Sequence, residues 1–596
     1  MHDPLQDGIY GYRTLAEALR SLPGIYIYQD RMYAYVGVRG FGRPWDYNGR
    51  VLLLVDGERM NEAVWDSSYL GNEGLVDIDL IDRIEFIPGP GSAVYGNNAF
   101  FGVIQVFTKR GRQLQGAEVS GEYGRFDTYK GRASYGRRFE NGTDLLLSFT
   151  EFDRQGPDRL YFPEYDAPAT NHGRAERLDH DRYQSGFGKL AHRPWLLEAG
   201  FNRRIKGNPL AYDDSTLFND PGLRVEDNSG FATLRFDDRI TEHGGLYARF
   251  GAHLYDSEWR FPYRDPELPT RFVNVNRLNG VWWDGELRYT NTAWDRHKWM
   301  IGGEIQDNLR QMLKNRDIGY DWVIRDEFQT TRYGVYVQDE YQPWDPITLV
   351  AGARYDYNPL GGASANPRVG LIWRALDTTT LKLLYGSAFR SPSAAEMAYA
   401  LPGVATRPET VRSLELVAEH LFSPRTRLNA SVYHNRISQL IDTVPGPDGT
   451  GWYANRGRAD SVGLELEGEH RFEFGLRTRI SYTYQQVEDQ DGLKPTNSPL
   501  QLLKLNASAP LGNSGWRAGF ETQYMSSRTT LAGRRTGQQI LSNLHVSGEP
   551  WEHVQLSFGL YNLFNQKFAE PLGPDARPDT APMDGLTFRL KATLSY

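Results

Sequence analysis

From Gly116 to Tyr596 the chain returns again and again to segments of roughly ten residues in which apolar and polar side chains alternate, separated by Gly, Asn, Asp and Pro. The last of them, 585-GLTFRLKATLSY-596, does so without exception. Leu586, Phe588, Leu590, Ala592, Leu594 and Tyr596 fall on one face, and Thr587, Arg589, Lys591, Thr593 and Ser595 on the other. The same period runs through 425-RTRLNASVYHNRI-437, where Leu428, Ala430 and Val432 oppose Asn429 and Ser431, and through 475-GLRTRISYTYQ-485, where Ile480, Tyr482 and Tyr484 align. A period of two commits such segments to strands with one apolar face. That face meets either a second sheet, as in a soluble sandwich, or hydrocarbon, as in a transmembrane barrel, and alternation alone leaves both open.

Other classes are easier to exclude. No apolar run reaches the roughly 18 residues of a membrane-spanning helix; the most apolar, such as 51-VLLLV-55 and 145-LLLSF-149, are strand length. The mean hydropathy of -0.57 does not discriminate further, because a barrel strand needs apolar residues only at every second position. Aromatic residues make up 13% of the chain, and 61 glycines suit many strands joined by turns. The absence of cysteine removes disulfides, thiolate metal sites and cysteine nucleophiles. The 67 basic and 75 acidic residues are interspersed, so no basic stripe for nucleic acid stands out.

The first ~110 residues read differently, as a small mixed α/β domain. In 14-TLAEALRSLPG-24, Leu15, Ala18, Leu19 and Leu22 fall at helical spacing, Thr14 can cap with Glu17 three residues on, and Pro23-Gly24 ends the helix. In 88-PGPGSAVYGNNAFFG-102 the glycines permit tight turns while Ala93, Val94, Tyr95, Phe100 and Phe101 can fill a compact interior. A phosphate loop is the competing reading of that string, but no Lys-Ser/Thr pair follows it. Neither a nucleophile elbow nor an HExxH string stands out.

Several segments resemble the TonB-dependent receptors, and the match spans nearly the whole chain. In the first domain 36-VGVRGFG-42, 51-VLLLVDGERMN-61 and 77-DIDLIDRIEFIPGPGSAVYGNNAFFGVIQVFTKRG-111 look like the family's plug. Further on, 385-YGSAFRSPSAAE-396, 408-PETVRSLELVAEH-420, 461-SVGLELEGEH-470 and 561-YNLFNQKF-568 look like parts of its barrel, in the expected order. The resemblance implies a membrane all-β fold: a large antiparallel barrel of about 22 strands over 112–596, with a plug over 1–111 in its lumen. It implies a transporter and not an enzyme, importing a scarce nutrient such as a ferric siderophore or cobalamin. A passive porin or surface-binding barrel that has lost energy coupling is the alternative.

Expected partners are outer-membrane lipid, the TonB energy-transducing complex and an extracellular metal chelate or cobalamin-like ligand, with no nucleic acid and a monomeric state. No cofactor and no metal site are expected. The family's signal peptide, coupling motif and first plug strand are not recognisable before residue 14, which reads as a truncated or late start.

By resemblance, Arg39 faces the barrel carboxylates Glu415 and Glu465; ordinary solvated lumen charges are the competing reading. Pro88 stands where the family usually has Arg, which puts a second plug-to-barrel ion pair in doubt. Phe588, Leu594 and the terminal Tyr596 are similar to the family's assembly signal. If successive plug strands alternate in direction, 28-YQDRMYAY-35 and 60-MNEAVWDSSYLGNEG-74 share one end and 41-FGRPWDYNG-49 lies at the other. The resemblance puts the first two at the extracellular apex, where Gln29, Asp30, Arg31, Tyr33, Trp65, Asp66 and Tyr69 offer a surface for a polar, partly flat ligand. Packing of those aromatics against barrel loops is the equal alternative. Asp213, Asp214 and Asp220, in one long loop, read as a solvated acidic segment in preference to a Ca²⁺ site.

Overall fold

The computed structural model describes residues 8–596 except 212–215, 265–269, 320–321, 446–450 and 575. Among the described residues, 22 antiparallel strands form one closed barrel from Gly116–Gly124 to Thr587–Ser595. The last strand closes it by pairing with the first, with Leu594 opposite Val119. Alternation governs the wall: along Thr128–Arg138 buried and exposed residues take turns, with Lys130, Arg132 and Ser134 inward and Tyr129 and Tyr135 outward. Backbone ladders run around the full circle and leave no open sheet edge, the condition for crossing hydrocarbon without a helix.

The two rims differ. At one, strands join through short turns such as those between Trp344 and Ile347 and between Trp551 and Val554. Exposed Trp294, Trp344, Phe422, Phe474 and Trp551 ring that rim, together with Tyr596, which is 95% exposed. At the other rim the connections are long, and several fold inwards. The strands Gly244–Arg264, Arg271–Asn291, His297–Asp317 and Trp322–Trp344 reach 21, 21, 21 and 23 residues, twice the expected length. A tilted strand crosses the hydrocarbon in about 9–11 residues. The excess, carrying Asp256, Arg260, Asn274, Asn276 and Asn315, therefore stands beyond it on the long-loop side as a polar palisade.

Inside the barrel, α1 (Leu15–Arg20) forms where its spacing predicts, with the Thr14 hydroxyl accepting the Glu17 N–H. β1 (Ile25–Gln29) and β2 (Ala34–Val38) make a hairpin. A second sheet holds β3 (Val51–Val55) between β4 (Glu58–Arg59) and β6 (Gly102–Thr108), with β5 (Ile81–Pro88) on the far side of β6. Leu19, Ile25, Ile27, Leu53, Phe100 and Ile104 belong to one buried core between these elements. Gly96 has φ +71, and a Cβ there would sit 2.6 Å from the Arg354 guanidinium, so glycine lets the plug touch the wall. The last plug strand ends at Thr108 and the first wall strand begins at Gly116.

The expectation that 41–49 lies opposite the other two turns fails, because β2 and β3 do not alternate in direction. β2 descends from the long-loop end to Arg39 and Gly40, whose left-handed φ of 50° and 88° reverse the chain. Residues 41–49 climb back, and β3 descends again from Arg50, beside Glu409 at the long-loop end of its strand, to Asp56 beside Lys189. All three segments thus approach the same rim.

Candidate functional site

At the long-loop end the plug presents a continuous band of aromatic rings. Register across the β1–β2 hairpin sets Tyr28 opposite Tyr35, and their rings stack 5.1 Å apart. Tyr35 meets Tyr47 edge-on at 6.2 Å, Tyr47 stacks on Trp65 at 5.0 Å, and Trp65 meets Tyr453, from a long loop, edge-on at 6.2 Å. A second group adjoins it. Tyr33 lies 5.9 Å from Tyr69 and 5.7 Å from Trp259, and the Tyr69 hydroxyl donates to Tyr255 at 2.7 Å. Such pairs contribute about 0.5–1.5 kcal/mol each beyond the area they bury.

Of the seven apex residues singled out from sequence, Tyr33, Trp65 and Tyr69 lie in this band. The others have different surroundings. Asp30 is buried, not exposed: its carboxylate accepts the N–H groups of Met32 and Tyr33 and the Tyr35 hydroxyl, tying the hairpin turn together. Burial pushes that carboxyl above its ordinary value, against the pull of those hydrogen bonds. Arg31, also buried, pairs with Asp179 at 2.9 Å and Asp584 at 2.8 Å, clamping two long loops to the plug. Asp66 accepts from Arg332 and Asn97, and Gln29 is half-buried at the end of β1. Sequence reasoning missed Tyr28, Tyr35, Tyr47, Tyr255, Trp259 and Tyr453. Tyr47 belongs to the segment expected at the opposite end, and the wall and loop aromatics come from distant strands whose neighbours no local pattern reveals.

The loop that carries Trp65 is held by Glu62, whose carboxylate accepts the N–H groups of Val64, Trp65 and Ser67 at 2.6, 2.8 and 3.1 Å. Burial pushes the Glu62 carboxyl up to about 7. Above it the short helix Ala394–Ala398 packs on the same loop, with the Ala395 N–H donating to the Val64 carbonyl. The helix's own loop and the one carrying Tyr453, whose N–H donates to the Tyr399 carbonyl, thus meet at the Trp65 end of the band.

Deeper down, buried ion pairs join plug and wall. Arg39 donates to Glu415 at 2.6 and 3.2 Å and to Glu465 at 3.2 Å, with its guanidinium 4.0 Å over the Tyr433 ring. Pro88 supplies no second pair; Arg50 does, donating to Glu409 at 2.8 Å beside Arg390. Sequence reasoning also missed Arg50, Asp56 with Lys189 at 2.9 Å, Glu73 with Arg204 at 3.3 Å, and Asp79 with Lys591 at 2.6 Å. Alternation put Lys591 on the polar face of the last strand, but which plug charge a wall residue meets depends on the depth of every strand.

Among the described residues Glu58, His253 and Asp284 form the one group with metal-ligand spacing. Arg249 pairs with Glu58 and, at 2.7 Å, with Asp284, and the His253 ring nitrogen lies 3.0 Å from both, so these cationic groups already engage the carboxylates. Asp220 accepts from Arg271 at 2.8 and 2.9 Å; Asp213 and Asp214 lie outside the described residues. Leu594 and Tyr596 point outwards on the closing strand, and Phe588 is partly buried there.

Family models match both parts of the chain: the TonB-dependent receptor plug domain over residues 5–103 and the TonB-dependent receptor-like β-barrel over 164–563. The vitamin B12 transporter BtuB of Vibrio cholerae serotype O1 is 26% identical over 533 residues, covering 87% of this chain and 79% of that protein. Among solved structures, the ferric citrate transporter FecA in its unliganded form superposes with a TM-score of 0.80 at 16% identity, covering 100% of this chain and 96% of that one. The FrpB iron transporter of Neisseria meningitidis does so with a TM-score of 0.77 at 15% identity, covering 100% and 98%. With a plug filling the lumen of a 22-stranded barrel, and a family model matching more than half of its length, the chain belongs to the TonB-dependent receptors.

Proposed function

We propose that this chain imports a scarce, flat and weakly charged nutrient of the cobalamin kind across the outer membrane of a Gram-negative bacterium. Ligand binds at the long-loop mouth, the plug rearranges under force from the TonB complex, and ligand passes to the periplasm. No bond is made or broken, so the protein acts as a receptor and transporter and not as an enzyme. A ferric siderophore is the other ligand class within this reading.

The single observation that carries the ligand class is the partly exposed end of the aromatic band, Tyr47, Trp65 and Tyr453, which the buried Tyr28 and Tyr35 support from within the plug. Beside it Arg31, Arg50 and Asp66 are already paired with protein groups of opposite charge. A polyanionic chelate would need basic groups to meet its carboxylates or hydroxamates, whereas a macrocycle needs ring faces and a few hydrogen bonds. The similarity to a vitamin B12 transporter supports the same choice. The filled lumen speaks against a passive pore.

The test is equilibrium binding of cyanocobalamin and of ferric citrate to the detergent-solubilised protein, in the parent and in Tyr47→Ala/Trp65→Ala. Binding of cyanocobalamin that weakens at least tenfold in the double variant is expected. Binding of ferric citrate alone would overturn the ligand class, and binding unaffected by the double variant would move the site away from the band.

A further inference from the structure

Two cavities lie end to end between the plug and one sector of the wall. The upper, of about 50 Å³, reaches from Tyr69, Asn72 and Tyr183 near the long-loop end down to Arg13, Ile78 and Ile81. The lower, of about 380 Å³, begins at those same three residues and opens towards Glu118, Gln555 and Thr593 near the short-turn rim. The wall here is a continuous run of strands across the barrel closure, from Gln539–Trp551 through Thr587–Ser595 and Gly116–Gly124 to Asp181–His192. The lower cavity is lined by charges of both signs, Asp79, Glu122, Lys130 and Lys591 among them, which suits passage of a hydrated polar solute.

Of the three residues that line both cavities, Arg13, Ile78 and Ile81, Arg13 is the one whose side chain spans from the plug to the wall. The Arg13 guanidinium donates to Glu17 at 2.8 Å, lies 4.0 Å over the Tyr561 ring and reaches the Thr587 hydroxyl at 3.4 Å, bridging from α1 to the wall. Gly8 and residues 10–13 line one side of the lower cavity, and the segment 8–13 belongs to neither plug sheet. They meet the wall through dispersed contacts, including Tyr12 to Glu521 at 3.0 Å, His545 to the Ile9 carbonyl at 3.0 Å and Tyr561 to the Gly11 carbonyl at 2.5 Å. The plug sheet itself is held in this sector by lysine–carboxylate pairs, Asp79 with Lys591 at 2.6 Å and Asp77 with Lys130 at 2.8 Å, and in the opposite sector by guanidinium–carboxylate pairs such as Arg39 with Glu415 and Arg50 with Glu409.

We propose that Arg13 is the gate of the translocation path in this receptor, and that the path follows this sector of the wall from the Tyr33–Tyr69 side of the apex to the lower cavity. The proposal rests on the transport reading above. Swinging Arg13 away from Glu17, with residues 8–13, would join the two cavities while leaving β3, β5 and β6 and the ion pairs of the opposite sector in place.

The chain has no cysteine, so a single introduced thiol reports its own surroundings. In Ser185→Cys, whose thiol would line the upper cavity, reaction with a methanethiosulfonate bearing a trimethylammonium group is measured on the full chain in detergent. The rate should rise at least tenfold when Arg13→Ala is added, rise less with Arg13→Gln, and stay unchanged with Arg83→Ala, whose guanidinium lies over Phe107 and lines neither cavity. Planar-bilayer conductance should rise in the same order. A Ser185→Cys rate that is the same with and without Arg13→Ala, or an equal response to Arg83→Ala, overturns the gate. Cyanocobalamin binding to each variant separates the two readings. Retained binding with unaltered thiol reactivity sinks only the path, while absence of binding in the parent sinks the cobalamin-uptake reading itself.

Discussion

Replacing Arg39 by alanine removes the guanidinium that two barrel carboxylates share. Glu415 is 7% exposed and Glu465 only partly so, and together they receive four hydrogen bonds from Arg39. Deleting one partner of a buried ion pair costs about 3–5 kcal/mol, because the remaining charge stays desolvated. Partial exposure of Glu465 pulls this toward the lower end, while loss of the cation–π contact to Tyr433 adds to it. A cost of about 3 kcal/mol, borne by the docked plug and not by the barrel, raises the equilibrium constant for plug release by roughly two orders of magnitude. The assay is protease cleavage of the plug against urea concentration in detergent, with heat-modifiable gel mobility reporting the intact barrel. Arg39→Met/Glu415→Gln/Glu465→Gln should regain most of the loss, since it strands no charge. An Arg39→Ala plug released at the same urea concentration as the parent would refute the reasoning. So would a triple variant as unstable as the single one.

Deleting 586–596 leaves the edges of Gly116–Gly124 and Val554–Tyr561 unpaired in hydrocarbon, so the membrane yield of folded, heat-modifiable barrel should collapse; normal yield would contradict the closure. Burial holds the Glu62 carboxyl at about 7 in the folded plug against 4.5 unfolded, so its protonated form favours the folded loop. That stabilisation, on the order of 3 kcal/mol, is full below about 4.5 and is lost as pH rises to about 7. Hydrogen exchange of the Val64, Trp65 and Ser67 amides, corrected for intrinsic rates, should therefore quicken between about pH 5 and about pH 7 in the parent and stay level in Glu62→Gln; equal profiles would count against it. The purified chain should need detergent or lipid and show mainly β-sheet circular dichroism, because Val119, Leu147, Phe149 and Leu594 face outwards from the wall. A water-soluble, helical monomer would contradict that placement.

The residues by themselves determined a good deal. Period-two alternation identified strands and sorted the side chains of 585–596 into two opposite faces, because that sorting depends only on the pleat. The α1 helix and its Thr14 cap were equally legible, since capping is a contact over three residues. What alternation withheld was whether the apolar face meets lipid or a second sheet, and the family resemblance carried that step. Other features waited for the tertiary structure. Strands of 21 residues look like 10-residue ones when only their lipid-facing half must be apolar, so the palisade beyond the membrane leaves no period to read. The position of 41–49 turned on the left-handed reversal at Arg39 and Gly40, a conformation that nothing in the string Val38-Arg39-Gly40-Phe41 compels. The aromatic band and the pairs Arg50–Glu409 and Asp79–Lys591 join residues hundreds of positions apart. Local pattern settles the face on which each such residue lies, but the depth at which it meets its partner is set by barrel closure and by how the plug seats within it, and both are properties of the whole chain.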